Sequence, residues 1–239
     1  MESQLCDKLF APSKPYWAYW QELSEDAVYN GLMLGGWFAD KLPPIFSAEQ
    51  FVTYCNNRKM ASNDSRSEWI RFNYIRCNGQ YRKFGIPTPF TYERLVRGLA
   101  DNWGDIVRHV QKYTLPQPYA VSRIHPRVIP DSQAIFQMNY SNWMTDPNPE
   151  PTILIGKKYL VKCDISTCFP SIYTHSLPWA IMGSDNAKQN RSSRRGGWAN
   201  EIDGLLQKAC DGETHGLLIG PHASNVVSEL ILTVIDASL

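Results

Sequence analysis

YLVKCDISTCFPSIYTHSLPW, residues 159–179, sets a carboxylate inside a run that alternates like a β-strand. Tyr159, Val161, Cys163 and Ile165 fall on one face, and Leu160, Lys162, Asp164 and Ser166 on the other. The alternation predicts a half-buried strand with Asp164 on its polar side. An aspartate at a strand end forms turns or caps helices, because its side chain accepts a backbone N–H from the turn that follows. A partly buried carboxylate can equally be a ligand. The rest of the chain has to decide between the two.

Length and composition set the outer limits. The 239 residues, 43% apolar and 12% aromatic, are enough for one large domain or two smaller ones with a real core. No run of about 18 apolar residues could span a bilayer, and MESQLCDKLF lacks the basic flank and apolar stretch of a secretory signal, so a cytoplasmic protein is expected. The six cysteines, at 6, 55, 77, 163, 168 and 210, form no C-x-x-C pair. Neither a zinc knuckle nor a disulfide framework is indicated, and reduced, mostly buried thiols are expected.

The formal charge of +1 conceals an uneven distribution: −4 over residues 1–50, +8 over 51–130 and −3 over 131–239. In the middle block Arg far outnumbers Lys, and Trp69, Phe72, Tyr74, Tyr81 and Phe84 lie among the cations. Guanidinium groups fork onto phosphates and aromatic rings stack on bases, so nucleic acid is one candidate partner. A solvated helical face is the other reading. A second basic run, AKQNRSSRRGG at 187–197, has the composition of an exposed loop that either holds phosphate or simply moves.

The chain shows no repeats. Short helices are expected around Tyr16–Leu23 and Ala48–Asn56, and residues 66–76 fit a strand or a helix. After GIPTPF, TYERLVRGLADNWGDIVRHVQ carries helical spacing at Leu95, Leu99, Trp103 and Ile106, with Thr91 as its N-cap. A short strand is expected at IFQMNY, then a Pro-rich hinge from Thr145 to Thr152.

THGLLIGPHASNVVSELILTVIDASL closes the sequence with Gly216, Gly220 and Pro221 leading into a helix. Val226, Leu230 and Val234, beside Val227, Ile231 and Ile235, form two adjacent apolar stripes, and Ser224 is the expected cap. A glycine turn before a buried helix admits a close backbone or a flat ligand; it is also an ordinary way into a core helix.

In order and separation the two features resemble motifs A and B of reverse transcriptases. DISTCF places Phe169 five residues after Asp164, as in the family's Asp-x-x-x-x-Phe/Tyr, and GLLIGPHAS matches G-x-P-Q-G-x-x-x-S at Gly216, Gly220 and Ser224. Leu218 and Ile219 replace the usual Pro and Gln, which puts the familiar handling of the template in doubt. FPSIYTHSLPWAI, GLMLGGWFADKLPPIFSAEQF, RKFGIPTPFTYERL and SRIHPR narrow the resemblance to bacterial abortive-infection and defence-associated reverse transcriptases, from about residue 31 onward.

The resemblance implies an α+β right-hand polymerase fold. Helical fingers would occupy residues 1–155, a partial palm with a small antiparallel sheet 156–182, a fingers insertion or loop 183–213, and the motif B helix 214–239. Asp164 would bind Mg²⁺ together with the carbonyl of Ile165, in two-metal nucleotidyl transfer. Phe169 would be the steric gate beneath the sugar, unless it is plain core. Arg82 and Lys83 would grip the triphosphate, Arg123 would assist or lie on the surface, and Gly220 would border the nucleotide. His175 and His215 lack ligand-like spacing and are expected to be structural or phosphate-facing.

No Asp-Asp pair, which the family needs after motif B, occurs in the sequence. The expectation is therefore a fragment, inactive alone, that stops before motif C; Glu229 and Asp236 of the motif B helix are poor substitutes. The parent enzyme would join dNTPs into DNA in antiphage defence, on an RNA or DNA template, with a noncoding RNA, or without templating. It would oligomerise and would need no membrane. The rival expectation is a non-catalytic nucleic-acid-binding or assembly module of the same shape.

Overall fold

Helices begin where hydroxyl or carboxylate side chains meet apolar periodicity. The structure is a computed structural model and describes residues 16–38, 47–57, 66–115, 126–127, 135–138, 154–161, 165–190 and 193–238. Helix α1 spans Tyr16–Gln21 and α2 spans Glu25–Leu34. The Ser24 hydroxyl accepts from the amide of Ala27 at 3.2 Å, and Glu25 and Asp26 sit in the positive first turn of α2. Helix α3 spans Glu49–Asn57.

Within the basic block, residues 70–86 fold into a β-hairpin, β1 (Ile70–Ile75) and β2 (Tyr81–Ile86), antiparallel with Phe72 opposite Phe84 and Tyr74 opposite Arg82. Its turn follows from Asn78-Gly79. Gly79 takes a φ of +76°, which costs glycine little, and the Asn78 side-chain oxygen accepts from the amide of Gln80 at 3.1 Å.

Residues 89–114 form two helices where the spacing predicts one: α4 (Pro89–Asp101) and α5 (Trp103–Thr114). The Asn102 side-chain Nδ2 donates to the carbonyl of Gly98 at 2.8 Å while its backbone N–H turns to the carbonyl of Ala100, breaking the helical ladder. Trp103 then turns inward to stack on Trp20, with centroids 5.2 Å apart, and its indole N–H donates to the carbonyl of Trp20. The cap of α4 is also displaced. Thr88 precedes Pro89 at the helix start, whereas Thr91 is buried one turn in, with its hydroxyl donating to the carbonyl of Thr88 at 3.1 Å.

Strand β3 (Pro126–Arg127) pairs antiparallel with β4 (Gln137–Met138), inside the expected IFQMNY strand. Residues 159–161 and 165 bear out no strand: Tyr159, Val161 and Ile165 are 78%, 80% and 55% exposed. Among the described residues no neighbouring strand pairs with this stretch, and an alternating pattern without a partner has no ladder to hold it. The expected palm sheet is accordingly absent among the described residues, where both sheets are two-stranded. Lys162 and Asp164, Arg123, and the 145–152 hinge lie outside the described residues.

Beyond Asp164 the chain forms α6 (Cys168–Ser171), α7 (Ser176–Met182), α8 (Ser184–Gln189), α9 (Ser193–Ala209) and α10 (His222–Asp236). The 187–197 run is thus largely helical where a loop was expected; α9 bends at Gly197, and Ala187 and Ala199 are buried. Pro221, not Ser224, occupies the cap position of α10, and Ser224 is buried in the first turn.

One core draws side chains from all four expected segments: Trp20 and Leu99 from the first, Leu177 from the second, Ile202 from the third, Val226 and Leu230 from the last. Burial of such a side chain contributes about 1.5–3 kcal/mol. Tyr92 locks the layers together. Its hydroxyl reaches the carbonyls of Leu32 and Gly36, and the same Gly36 carbonyl accepts from the amide of His222 at 2.7 Å. The thiols of Cys55 and Cys210 are buried, that of Cys168 is half-buried and that of Cys77 exposed. Among the described residues no helix is long and apolar enough to cross a membrane.

Candidate functional site

Glycine at 216 and 220 makes the site geometry. Their φ values, +96° and +127°, lie where side-chain-bearing residues rarely go, so the chain can bend sharply between α9 and α10. The bend is then pinned to the residues that follow Asp164. The amide of Leu217 donates to the carbonyl of Phe169, that of Gly216 to Ile172, and that of Thr174 to Thr214, each at 2.8 Å; Tyr173 and His215 form an antiparallel bridge. The two stretches singled out from sequence therefore meet along a continuous backbone seam.

The hairpin joins from the other side. The amide of Gly85 donates to the carbonyl of Ile219 at 2.9 Å. A Cβ at Gly85 would meet Leu218 Cδ2 at 2.7 Å and Trp69 Cδ1 at 3.1 Å, so Leu218 fills the notch that the missing side chain leaves. Leu218 thus has a packing role in the bend. Further down, the amide of Ser67 donates to the carbonyl of Lys208, and that of Asp211 to the carbonyl of Ser67, fastening the base of the hairpin to α9.

Phe169 is half-buried, packed against the core at the start of the seam. Just before it, Thr167 holds φ +52°, ψ +40°. A β-branched residue in the left-handed region is strained, and such strain gathers at functional turns. Ile165 is exposed. Arg82 and Lys83 are successive strand residues and project from opposite faces. Arg82 is half-buried on the face of Phe72, Tyr74 and Phe84, its guanidinium 5.7 Å from the Phe84 centroid, and its Nε is buried without a hydrogen-bond partner. Lys83 is exposed on the face of Arg71 and Asn73. The expected basic pair is therefore split.

Beneath the bend, Pro87, Tyr92, Leu95, Leu206 and Cys210 line a crevice of only about 10 Å³, too small for more than a single water, so a ligand has no room there. Burial, reinforced by Glu213, pushes the Cys210 thiol up to about 12, which leaves it inert. A larger, open hollow of about 660 Å³ beside α5 shares no residue with the bend.

Sequence spacing missed the partner of His175. Its Nδ1 lies 2.5 Å from Oδ2 of Asp203 on α9, whose Oδ1 accepts from Gln207 Nε2 at 2.9 Å. The Tyr173 ring meets the imidazole edge to face at 4.7 Å. This fixes the ring beside the seam. Asp203 lies 28 residues away, so nothing local could have revealed it. Gly85 and Thr167 were equally hidden, because only the folded backbone shows a notch or a positive φ.

Glu229 is spent in the core: it is 2% exposed, and Oε1 accepts from the Tyr16 hydroxyl at 2.8 Å. Burial, then the Glu229 charge, holds the Tyr16 phenol well above its usual range. Among the described residues no three His, Cys, Asp or Glu side chains converge as a metal site. Asp164, the residue expected to hold Mg²⁺, lies outside the described residues.

No protein-family model matches the chain, and no curated protein sequence matches it.

Proposed function

We propose that the chain is the fingers and partial palm of a reverse-transcriptase-like DNA polymerase that adds dNTPs in antiphage defence. The observation that carries this reading is the seam: backbone hydrogen bonds join residues 169–174 to 214–217, and a further one joins the bend to β2. The stretches that carry Phe169, Gly220 and β2 are thereby joined by backbone hydrogen bonds, which supports a shared role.

In this reading Phe169 lies under the deoxyribose, and Gly220 allows close approach of the nucleotide. Arg82, with a buried nitrogen lacking a protein partner, takes a phosphate oxygen. An unpaired buried donor costs about 1–3 kcal/mol, a cost that an anionic ligand would remove. Lys83, on the other face, screens charge from further off, and Arg123 is a second phosphate contact. Asp164 and the Ile165 carbonyl are the contacts for Mg²⁺. Aliphatic Leu218 and Ile219 favour atypical templating, and the enzyme acts as a homo-oligomer.

The test is Asp164→Ala in the protein at its full natural length. dNTP incorporation should vanish while RNA binding persists; unchanged incorporation would overturn the reading and leave the non-catalytic binding module.

A further inference from the structure

The register of the hairpin sorts its side chains into two faces with different surroundings. One face carries Phe72, Tyr74, Arg82 and Phe84 and turns progressively inward, with Phe84 only 7% exposed. The other carries Arg71, Asn73, Ile75, Tyr81 and Lys83, all exposed, and among the described residues is covered only at its base, where Leu218 meets Gly85. Tyr81 is 70% exposed and stands opposite Ile75, itself 59% exposed; Lys83 stands opposite Asn73. Between Trp69 and Tyr92 there are four cations and no carboxylate. Water-exposed aromatic and aliphatic surface on an edge hairpin has a desolvation gain that no described residue collects, and the surrounding charge selects an anion.

We propose that this outer face, Arg71, Asn73, Ile75, Tyr81 and Lys83, binds single-stranded RNA. Tyr81 offers a ring on which one base stacks, with Ile75 beside it. Lys83 lies two residues along the same strand face, about 7 Å away, comparable to the step between successive phosphates on an extended strand. Arg71, its guanidinium 5.1 Å from the Trp69 centroid, is the next cation along the hairpin and marks the end nearest the glycine bend. Asn73 lies between the two cations. Its amide both donates and accepts, which suits a ribose 2′-hydroxyl and commits the face to RNA over DNA. A duplex fits poorly, because its bases are already stacked and a single exposed ring has nothing to receive. The inference rests on the nucleic-acid side of the proposed function and on no chemistry at Asp164.

Fluorescence anisotropy with labelled oligouridylate of about 15 nucleotides, the upper range of strand length for one such binding site, tests this on the full chain. Oligothymidylate of the same length and an RNA duplex are the comparison probes. Tyr81→Ala should weaken oligouridylate binding by about 10-fold, and Tyr81→Phe should retain it. Lys83→Ala should lower the slope of log affinity against log salt by about 0.7, one phosphate contact on a single strand. Asn73→Ala should erase the preference for oligouridylate over oligothymidylate. Arg108→Ala, which removes an exposed cation paired with Asp105 on α5, should change nothing. Because these positions are exposed, thermal melts should match the parent chain. Absence of oligouridylate binding, binding unaltered by Tyr81→Ala and Lys83→Ala, equal affinity for oligothymidylate, or preference for the duplex would each overturn the proposal. Asp164→Ala separates the two ideas: it should leave this binding intact even where incorporation is lost.

Discussion

Gly85→Ala puts the contact between hairpin and bend to a quantitative test, because two effects of opposite sign compete there. Glycine inside a regular element is less favourable than alanine by roughly 0.5–1 kcal/mol, so backbone entropy alone would make the variant more stable. The new methyl, however, would lie 2.7 Å from Leu218 Cδ2, 3.1 Å from Trp69 Cδ1 and 3.3 Å from Leu218 Cβ. The Leu218 tip can rotate, but its Cβ and the Trp69 ring cannot retreat without moving the bend or the hairpin. Overpacking of this kind costs about 1–3 kcal/mol. Displacing β2 also stretches the Gly85–Ile219 hydrogen bond, worth about 1 kcal/mol. The steric side wins, and a net loss of about 1–2 kcal/mol is expected. Leu218→Ala should release the clash, so the double variant should be destabilised by less than the sum of the two singles, by about 1 kcal/mol. Urea unfolding of the four proteins, compared at constant m-value, measures this cycle. A stabilised Gly85→Ala, or strict additivity with Leu218→Ala, would refute the notch.

Two further outcomes follow from the site and the core. Thr167→Asn should raise the melting temperature by a few degrees, since asparagine tolerates the left-handed conformation that costs other residues about 1–2 kcal/mol; a lower melting temperature would mean that the Thr167–Ser171 hydroxyl contact outweighs the strain. His109 is buried with Nε2 3.1 Å from the Leu230 carbonyl, and burial holds its pKa below the ordinary value. The unfolded chain therefore takes up this proton near pH 6.5, before the folded chain does, so the His109 contribution is complete above about pH 6.5 and declines as pH falls below it. Urea unfolding from pH 7 to 5 should show this slope, and His109→Gln, which retains an amide donor, should reduce it; an identical pH dependence would exclude the assignment.

What the sequence determined by itself was local. Helical spacing gave α1 and α3 nearly to their ends and the apolar stripes of α10, and the glycines gave the bend, whereas residues 66–76 left strand and helix both open. These follow from backbone dihedrals and side-chain period, which neighbouring residues set. Tertiary contacts decided the rest. The apolar alternation around Asp164 failed as a strand in the described residues because a strand needs a partner's backbone groups, whereas the helix over 91–111 broke where Asn102 and the Trp20–Trp103 stack outbid helical continuity. The meeting of Phe169 with Leu217, of Gly85 with Ile219, and of His175 with Asp203 depends on how distant segments pack around one core. Periodicity says which face is buried, but only the fold decides what lies against it.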